Sequence, residues 1–131
     1  MKISQLAKLA DVPNKTIRYY EDIDLLPKAT RDYNGYREYN RADVEPLIFI
    51  RRCRELKIPL EQIKTLIQVQ SDKDSSCEEV DSLIEQQLSK VRQVISELTL
   101  LEKSLFKLSN SCPNDKVGDC QILKNLHKIN T

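Results

Sequence analysis

Apolar residues recur at helical spacing along most of the chain. Ile3, Leu6, Leu9 and Ala10 mark a first short helix. Asp11-Val12-Pro13 reads as a turn. Asn14 suits the N-cap of a second helix carrying Lys15, Thr16, Ile17, Arg18, Tyr19 and Tyr20, because an Asn side chain satisfies a free N–H of the first turn. Two short helices on a tight turn fit a helix-turn-helix, and equally a plain αα-hairpin. The period then changes. Arg31-Asp32-Tyr33-Asn34-Gly35-Tyr36-Arg37-Glu38-Tyr39 sets Asn-Gly between Tyr-rich arms, a hairpin signal because both residues tolerate positive φ. A basic hairpin after two short helices reads as a wing. The alternative is an exposed hairpin whose charges are only solvated.

Helical spacing returns over residues 41–56, with Val44, Leu47, Ile48, Ile50 and Leu56 as the expected core face. Arg51, Arg52 and Arg54 add positive charge around Cys53, which reads as a packing residue. Pro59 ends that helix, and Leu60, Ile63, Leu66 and Ile67 make a fourth. Residues 71–75 are polar and read as a linker. Residues 77–109 predict one long helix. Ser76 with Glu79 fits a capping box, which places Cys77 at the first helical position. Ile84, Val91, Leu98 and Leu105 recur every seven residues, and Val94, Leu101 and Leu108 fill the second heptad position, interrupted at Gln87. This is a coiled-coil seam on a helix roughly 50 Å long. The chain offers no matching long helix, so a second copy is the expected partner, and an intramolecular helical pair is the alternative. A polar loop with Cys112 and Cys120 follows Asn110, and a short helix from Gln121 to His127 closes the pattern.

The expected fold is therefore mainly α. A winged helix-turn-helix DNA-binding domain with a helical linker region occupies residues 1–70. A long antiparallel coiled-coil dimerisation helix spans 71–109, and a metal-binding loop with a short C-terminal helix spans 110–131. Charge sharpens this division. Across 131 residues the net charge is only +1, yet residues 1–59 carry 12 basic and 9 acidic side chains, and residues 60–131 carry 9 and 11. All five Tyr precede residue 40, and three of the four Cys follow residue 70. A basic, Tyr-bearing front and an acidic, Cys-bearing back suggest two tasks. Two glycines argue against a phosphate loop, and one His with no Ser/His/Asp arrangement argues against a hydrolase. No stretch approaches the ~20 apolar residues of a membrane span. MKISQLAKLADVP lacks an apolar signal core, which leads to the expectation of a cytoplasmic protein.

The front half suits duplex DNA. Its Arg and Lys side chains neutralise phosphates, and outward residues of the second helix reach base edges in the major groove. Lys15, Thr16 and Arg18 are the candidates there, and Tyr19 can offer its hydroxyl to a phosphate. Ile17 and Tyr20 are expected to pack inward. Arg31, Asn34, Gly35, Tyr36 and Arg37 are the wing candidates. Two such modules in a dimer imply a roughly palindromic site.

The back half suits a soft metal ion, because thiolates select Cd(II), Pb(II), Zn(II), Hg(II) and Cu(I). Cys112 and Cys120 can fold back onto one ion, although a structural disulfide or two incidental thiols fit the same pair. Cys77, at a helix N-terminus, has the dipole and free N–H groups that favour a thiolate. In an antiparallel pair the start of one helix lies beside the end of the other. Cys77 of one chain can then join Cys112 and Cys120 of its partner in a three-thiolate site, unless Cys77 is an ordinary first-turn residue. His127 is either a fourth ligand or a solvated side chain.

These stretches resemble the MerR family of transcriptional regulators. The matches are Ile3–Leu9, Thr16-Ile17-Arg18-Tyr19-Tyr20-Glu21, Leu25-Leu26-Pro27, Asn34-Gly35-Tyr36-Arg37 and Phe49-Ile50-Arg51-Arg52-Cys53-Arg54-Glu55-Leu56. The resemblance covers essentially the whole chain. It implies a dimer on a promoter whose −35 and −10 elements are too far apart. Effector binding would then bend and underwind the DNA, so that RNA polymerase engages both elements. It also implies a ligand branch. Copper(I)-sensing members share the two-Cys loop but carry Ser where this chain has Cys77, which leaves a copper(I) regulator using Cys112 and Cys120 as the alternative reading. Zinc-sensing members bring extra loop ligands, including a Cys beside the first, where this chain has Pro113. Mercury-sensing members use three Cys on a different loop. Cys77, Cys112 and Cys120 look most like the cadmium- and lead-responsive branch. The resemblance thus implies a divalent soft ion as effector, Cd(II) or Pb(II) ahead of Zn(II) or Hg(II).

Overall fold

The computed structural model describes residues 1–110 and 116–127. Helices α1 (Ile3–Ala10) and α2 (Asn14–Asp22) lead into a two-stranded antiparallel ribbon, β1 (Thr30–Arg31) and β2 (Arg37–Glu38). A 3₁₀ turn over Arg41–Asp43 opens α3 (Val44–Glu55), followed by α4 (Leu60–Gln70) and α5 (Glu78–Ser109). A second 3₁₀ turn, Val117–Asp119, precedes α6 (Gln121–His127). The chain forms two compact units, the first over Met1–Ile84 and the second from Glu85 onward.

The first unit is organised around Leu6, Ile17, Leu47, Ile50, Ile58 and Ile63, whose side chains are fully buried. Each comes from the apolar stripe of its helix except Ile58, which lies just past the end of α3. The first turns of α5 belong to this unit, and Leu83 joins its core with Val80 against it. Ile17, Tyr20 and Cys53 are buried, as their positions predicted. Leu56 is not: it is 61% exposed. Lys57 reverses the chain at φ 63°, and the N–H groups of Lys57 and Ile58 bond back to the carbonyls of Arg54 and Cys53. This Schellman turn swings Leu56 outward and puts Ile58 into the core place expected of it.

Helix starts differ from the sequence reading in three places. Asn14 is the first residue of α2 rather than its cap. Pro13, at φ −61° and ψ 147°, is the half-in residue, and its carbonyl accepts the Ile17 N–H. Pro59 opens α4 the same way, because its ring fixes φ in a range compatible with a helix entry. The helix expected from residue 41 begins as the 3₁₀ turn instead. The Asn40 side chain accepts from Ala42 N–H and the Asp43 carboxylate accepts from Asn40 N–H, both at 2.9 Å. Cys77 precedes α5, and its carbonyl accepts the Asp81 N–H at 2.8 Å. It is therefore the N-cap residue and not the first helical one.

Three helices end on non-glycine residues in the left-handed region, Asp11, Asp24 and Lys57. At the end of α2 the N–H groups of Asp24 and Leu25 bond to the carbonyls of Glu21 and Tyr20. A side chain at such a position crowds the backbone. Asp24→Gly should therefore raise stability by roughly 0.5–1 kcal/mol, net of glycine's greater unfolded-state entropy. The check is the denaturation midpoint at unchanged slope. A lower midpoint would mean that the Asp24 carboxylate stabilises the turn more than its Cβ strains it.

In the second unit α5 carries an uncovered apolar face. Val91, Val94, Ile95, Leu98, Leu101 and Leu105 are all exposed. The full helix has 32 residues, about 48 Å at 1.5 Å each. Among the described residues no helix is long and apolar enough to cross a membrane.

Candidate nucleic-acid interface and metal-ligand cysteines

Helix α2 sorts its side chains as an amphipathic helix must. Ile17 and Tyr20 face the core, while Lys15, Arg18 and Tyr19 are exposed and Thr16 is half-buried. The first two turns thus present two cations, a hydroxyl and a phenol, the groups that bond phosphates and base edges. The Tyr19 ring leans on Tyr20 with centroids 6.2 Å apart, which fixes its place beside Arg18.

The ribbon pairs Thr30 with Glu38 and Arg31 with Arg37. Its loop is Tyr33-Asn34-Gly35. Asp32 N–H bonds to the Tyr36 carbonyl at 2.9 Å, and Gly35 N–H to the Asp32 carbonyl at 3.0 Å. Gly35 takes φ 84°, and Asn34 is not in the left-handed region. This is the three-residue hairpin with a glycine bulge, so one residue needs positive φ and not the two expected. The Asp32 carboxylate accepts the N–H groups of Asn34 and Tyr36, at 2.9 and 3.0 Å. Arg31 Nη1 donates to the Gly35 carbonyl at 2.8 Å, which ties that cation to the turn.

The wing's acids are neutralised from the chain start. Lys2 Nζ lies 2.9 Å from Asp32 and 3.4 Å from Glu38, and 5.5 Å from the Tyr36 ring centroid. The Met1 ammonium lies 2.9 Å from Glu38. The hydrogen bond from Lys2 holds the Asp32 carboxyl below its usual range, and the Met1 ammonium does the same for Glu38. Asp32 in turn pushes the Lys2 ammonium upward. Exposed pairs of this kind add little stability. Their effect is on the field: both wing carboxylates are already paired with cations.

A buried node joins wing and helix. Glu21, in the last turn of α2, is 3% exposed. Its carboxylate accepts the Tyr39 hydroxyl and sits 3.3 Å from Arg37 Nε. Burial, reinforced by the Glu21 carboxylate, drives the Tyr39 hydroxyl far above its ordinary range, so it stays a donor. Arg37 is therefore a structural partner of Glu21, with only the rest of its fork left for a phosphate. Neither Glu21 nor Tyr39 is among the sequence candidates. A charged residue inside a short helix carries no periodic signal, and its partners lie 16 and 18 positions away.

Of the arginines around Cys53, Arg51 lies 3.4 Å from Glu55, and Arg54 Nη1 donates to the Ile58 carbonyl at 2.7 Å. That part of the expected positive charge finishes α3. Burial raises the Cys53 thiol, which stays neutral and packs in the core.

Cys77 is an exposed, reduced thiol at the opening of α5, followed by Glu78, Glu79 and Asp81. Cys120 is half-buried and accepts the Lys124 N–H on its carbonyl as α6 begins. His127 is exposed at the end of α6. Cys112 lies outside the described residues. Among the described residues no three His, Cys, Asp or Glu gather around a common point. The donor types still fit a soft ion, since Cys77 is an exposed sulfur donor and Cys120 a half-buried one.

Known proteins place the chain. Residues 1–70 match the family described as MerR HTH family regulatory protein, and residues 44–108 match MerR, DNA binding. The chain is 38% identical to the uncharacterized HTH-type transcriptional regulator PA4778 of Pseudomonas aeruginosa, over 96% of each chain. The structure of the transcription regulator PbrR691 from Ralstonia metallidurans CH34, in complex with lead(II), superposes with a TM-score of 0.86 at 35% identity, covering 96% of this chain and 98% of that one. HiNmlR, a MerR family regulator bound to promoter DNA, gives a TM-score of 0.60 at 25% identity, covering 85% and 84%. The exposed cations of α2, the basic wing tied to it and the long α5 are thus the parts of a DNA-binding regulator, and the chain belongs to the MerR family.

Proposed function

We propose that the chain is a metal-responsive transcriptional activator that binds promoter DNA as a homodimer in the cytoplasm. Lys15, Thr16, Arg18 and Tyr19 approach the major groove. Arg31, Asn34, Gly35, Tyr36 and Arg37 hold the flanking backbone on a pseudo-palindromic site. The α5 helices pair antiparallel, and Cys77 of one chain joins Cys112 and Cys120 of its partner. The effector is a divalent soft ion, Cd(II) or Pb(II) ahead of Zn(II) or Hg(II). When bound, it supplies a crosslink between thiolates of the two chains. The dimer then bends and underwinds the promoter so that RNA polymerase engages both elements. Genes for heavy-metal resistance or efflux are the expected targets.

The observation that carries this reading is the exposed thiol of Cys77 at the head of α5, a third donor beyond the loop pair. The similarity to a regulator solved with lead(II) supports it. Two thiolates alone satisfy linear Cu(I), whereas three suit Cd(II) or Pb(II).

An anaerobic titration of the reduced protein with Cd(II), followed by thiolate-to-metal absorbance, tests it. Cys77→Ser should remove about one third of the charge-transfer intensity and lower affinity at least 10-fold, as loss of a directly bonded ligand should cost no less than loss of a supporting one. Superimposable titrations would reduce the site to Cys112 and Cys120 and turn the reading to copper(I).

A further inference from the structure

Helix α3 carries apolar side chains on two sides. Leu47 and Ile50 enter the core, while Phe49 is half-buried and Leu56 exposed. With Leu66 and Val69 of α4 and Val80 and Ile84 of the first turns of α5, the latter two wall a cleft of about 390 Å³. The cleft lies wholly within the first unit. Its volume is that of a small-molecule site, and such sites are apolar with a few placed polar groups. Here the polar side chains that line it are Arg52 and Gln70. Arg52 separates the cleft from an ordinary surface groove. The neighbouring arginines are engaged, Arg51 by Asp11 and Glu55, and Arg54 by the Ile58 carbonyl. Among the described residues no hydrogen bond or ion pair engages the Arg52 guanidinium. A guanidinium at an apolar cavity, with no carboxylate of its own, matches an anion carried on an apolar body.

We propose that this cleft binds a small amphipathic monocarboxylate, such as a medium-chain fatty acid, with its carboxylate on Arg52 and its apolar part between Phe49, Leu66 and Val80. The site uses none of the residues assigned to DNA or to metal, so it stands apart from that reading. A second copy of the chain is the competing occupant, because Ile84 also opens the α5 seam. Charge decides against it. In the antiparallel pairing proposed above, Ile84 meets the end of the partner's α5, where Lys103 and Lys107 outnumber Glu102. Those cations repel Arg52 instead of neutralising it. A small acid supplies the missing anion and removes the apolar walls from water in one step. It touches α3, α4 and α5 together, so its binding ties the three helices and stabilises the first unit by mass action.

The test titrates the full chain, reduced and metal-free, with octanoate and with octanol as its uncharged counterpart, by calorimetry. Octanoate should bind once per chain, at least tenfold tighter than octanol, and raise the thermal midpoint. Arg52→Gln, at an exposed position, should weaken octanoate about tenfold, the scale of one hydrogen bond to a charged group, and leave octanol unchanged. Val69→Phe, which fills the cleft, should abolish binding of both, and the Arg52→Gln comparison stands by itself if that variant fails to fold. Leu98→Asp, at an α5 position that does not line the cleft, should bind octanoate as the wild type does. The absence of saturable octanoate binding, or affinity within twofold of wild type in Arg52→Gln, overturns the site. Loss of binding in Leu98→Asp places the acid on the α5 seam, and a tenfold gain there shows that a second copy covers the cleft. Either result also overturns the proposal.

Discussion

Leu98→Asp should convert the protein to a monomer and lower operator affinity by at least a hundredfold. Leu98 is 57% exposed on the single chain, on the same face as Val91, Val94, Leu101 and Leu105. In an antiparallel pair it falls near the middle of a seam running from Ile84 to Leu108, so both copies meet close to the two-fold axis. Each buried Leu there stabilises the pair by about 1.5–3 kcal/mol. The substitution removes two of them and sets two carboxylates in the apolar seam. The dimer dissociation constant should rise by roughly three orders of magnitude or more, since each 1.4 kcal/mol is tenfold. Sedimentation velocity reads the mass directly, and anisotropy on one half-site and two half-sites reads the coupling. The core of the first unit does not include Leu98, so a monomeric variant should keep its folded DNA-binding unit. A variant that still sediments as a dimer would move the interface off this face.

Arg37→Ala should destabilise the first unit by about 3 kcal/mol, the low end for stripping one partner from a buried ion pair. The low end applies because Tyr39 still donates to Glu21 and because Arg37 is itself partly solvated. The diagnostic is the double variant. Glu21→Gln in the Arg37→Ala background removes the stranded charge and should recover about half of the loss, a coupling that a double-mutant cycle in denaturant measures. Additive effects would mean that the 3.3 Å contact contributes nothing beyond its two ends. A loss of DNA binding in Arg37→Ala would thus mix the proposed phosphate contact with a loosened wing. Arg18→Ala, at an exposed position of α2, is the cleaner probe of specific recognition.

Much of this was legible because helices write themselves in spacing. The stripes of α1 to α4 and the long α5 follow from apolar residues three and four apart, and Gly35 marked the hairpin. Leu56 misled because a stripe does not show where a helix stops: Lys57 ends the run and Ile58 inherits the core position. Cys77 was displaced by one residue because a cap and a first helical residue look alike in sequence. Asn14 lost the cap to a proline whose ring sets the entry angle. Glu21 was invisible for a deeper reason. Its burial follows from tertiary pairing with Arg37 and Tyr39, and no local pattern announces a charge that will be neutralised from another element. Among the candidate ligands, Cys77 and Cys120 are described and Cys112 lies outside the described residues.

The node at Glu21 has a mechanical consequence. A wing on a free hinge could tilt to follow whatever duplex it met, and specificity would leak away into adjustment. Here the hinge is pinned by a carboxylate held from both sides, so reading helix and wing behave as one casting. Such a head works as a gauge rather than a glove. On the DNA-binding mode proposed above, it would offer a fixed span to the double helix, and a mismatch between that span and the resting geometry of the DNA would fall on the softer partner, as twist and bend in the base-pair stack.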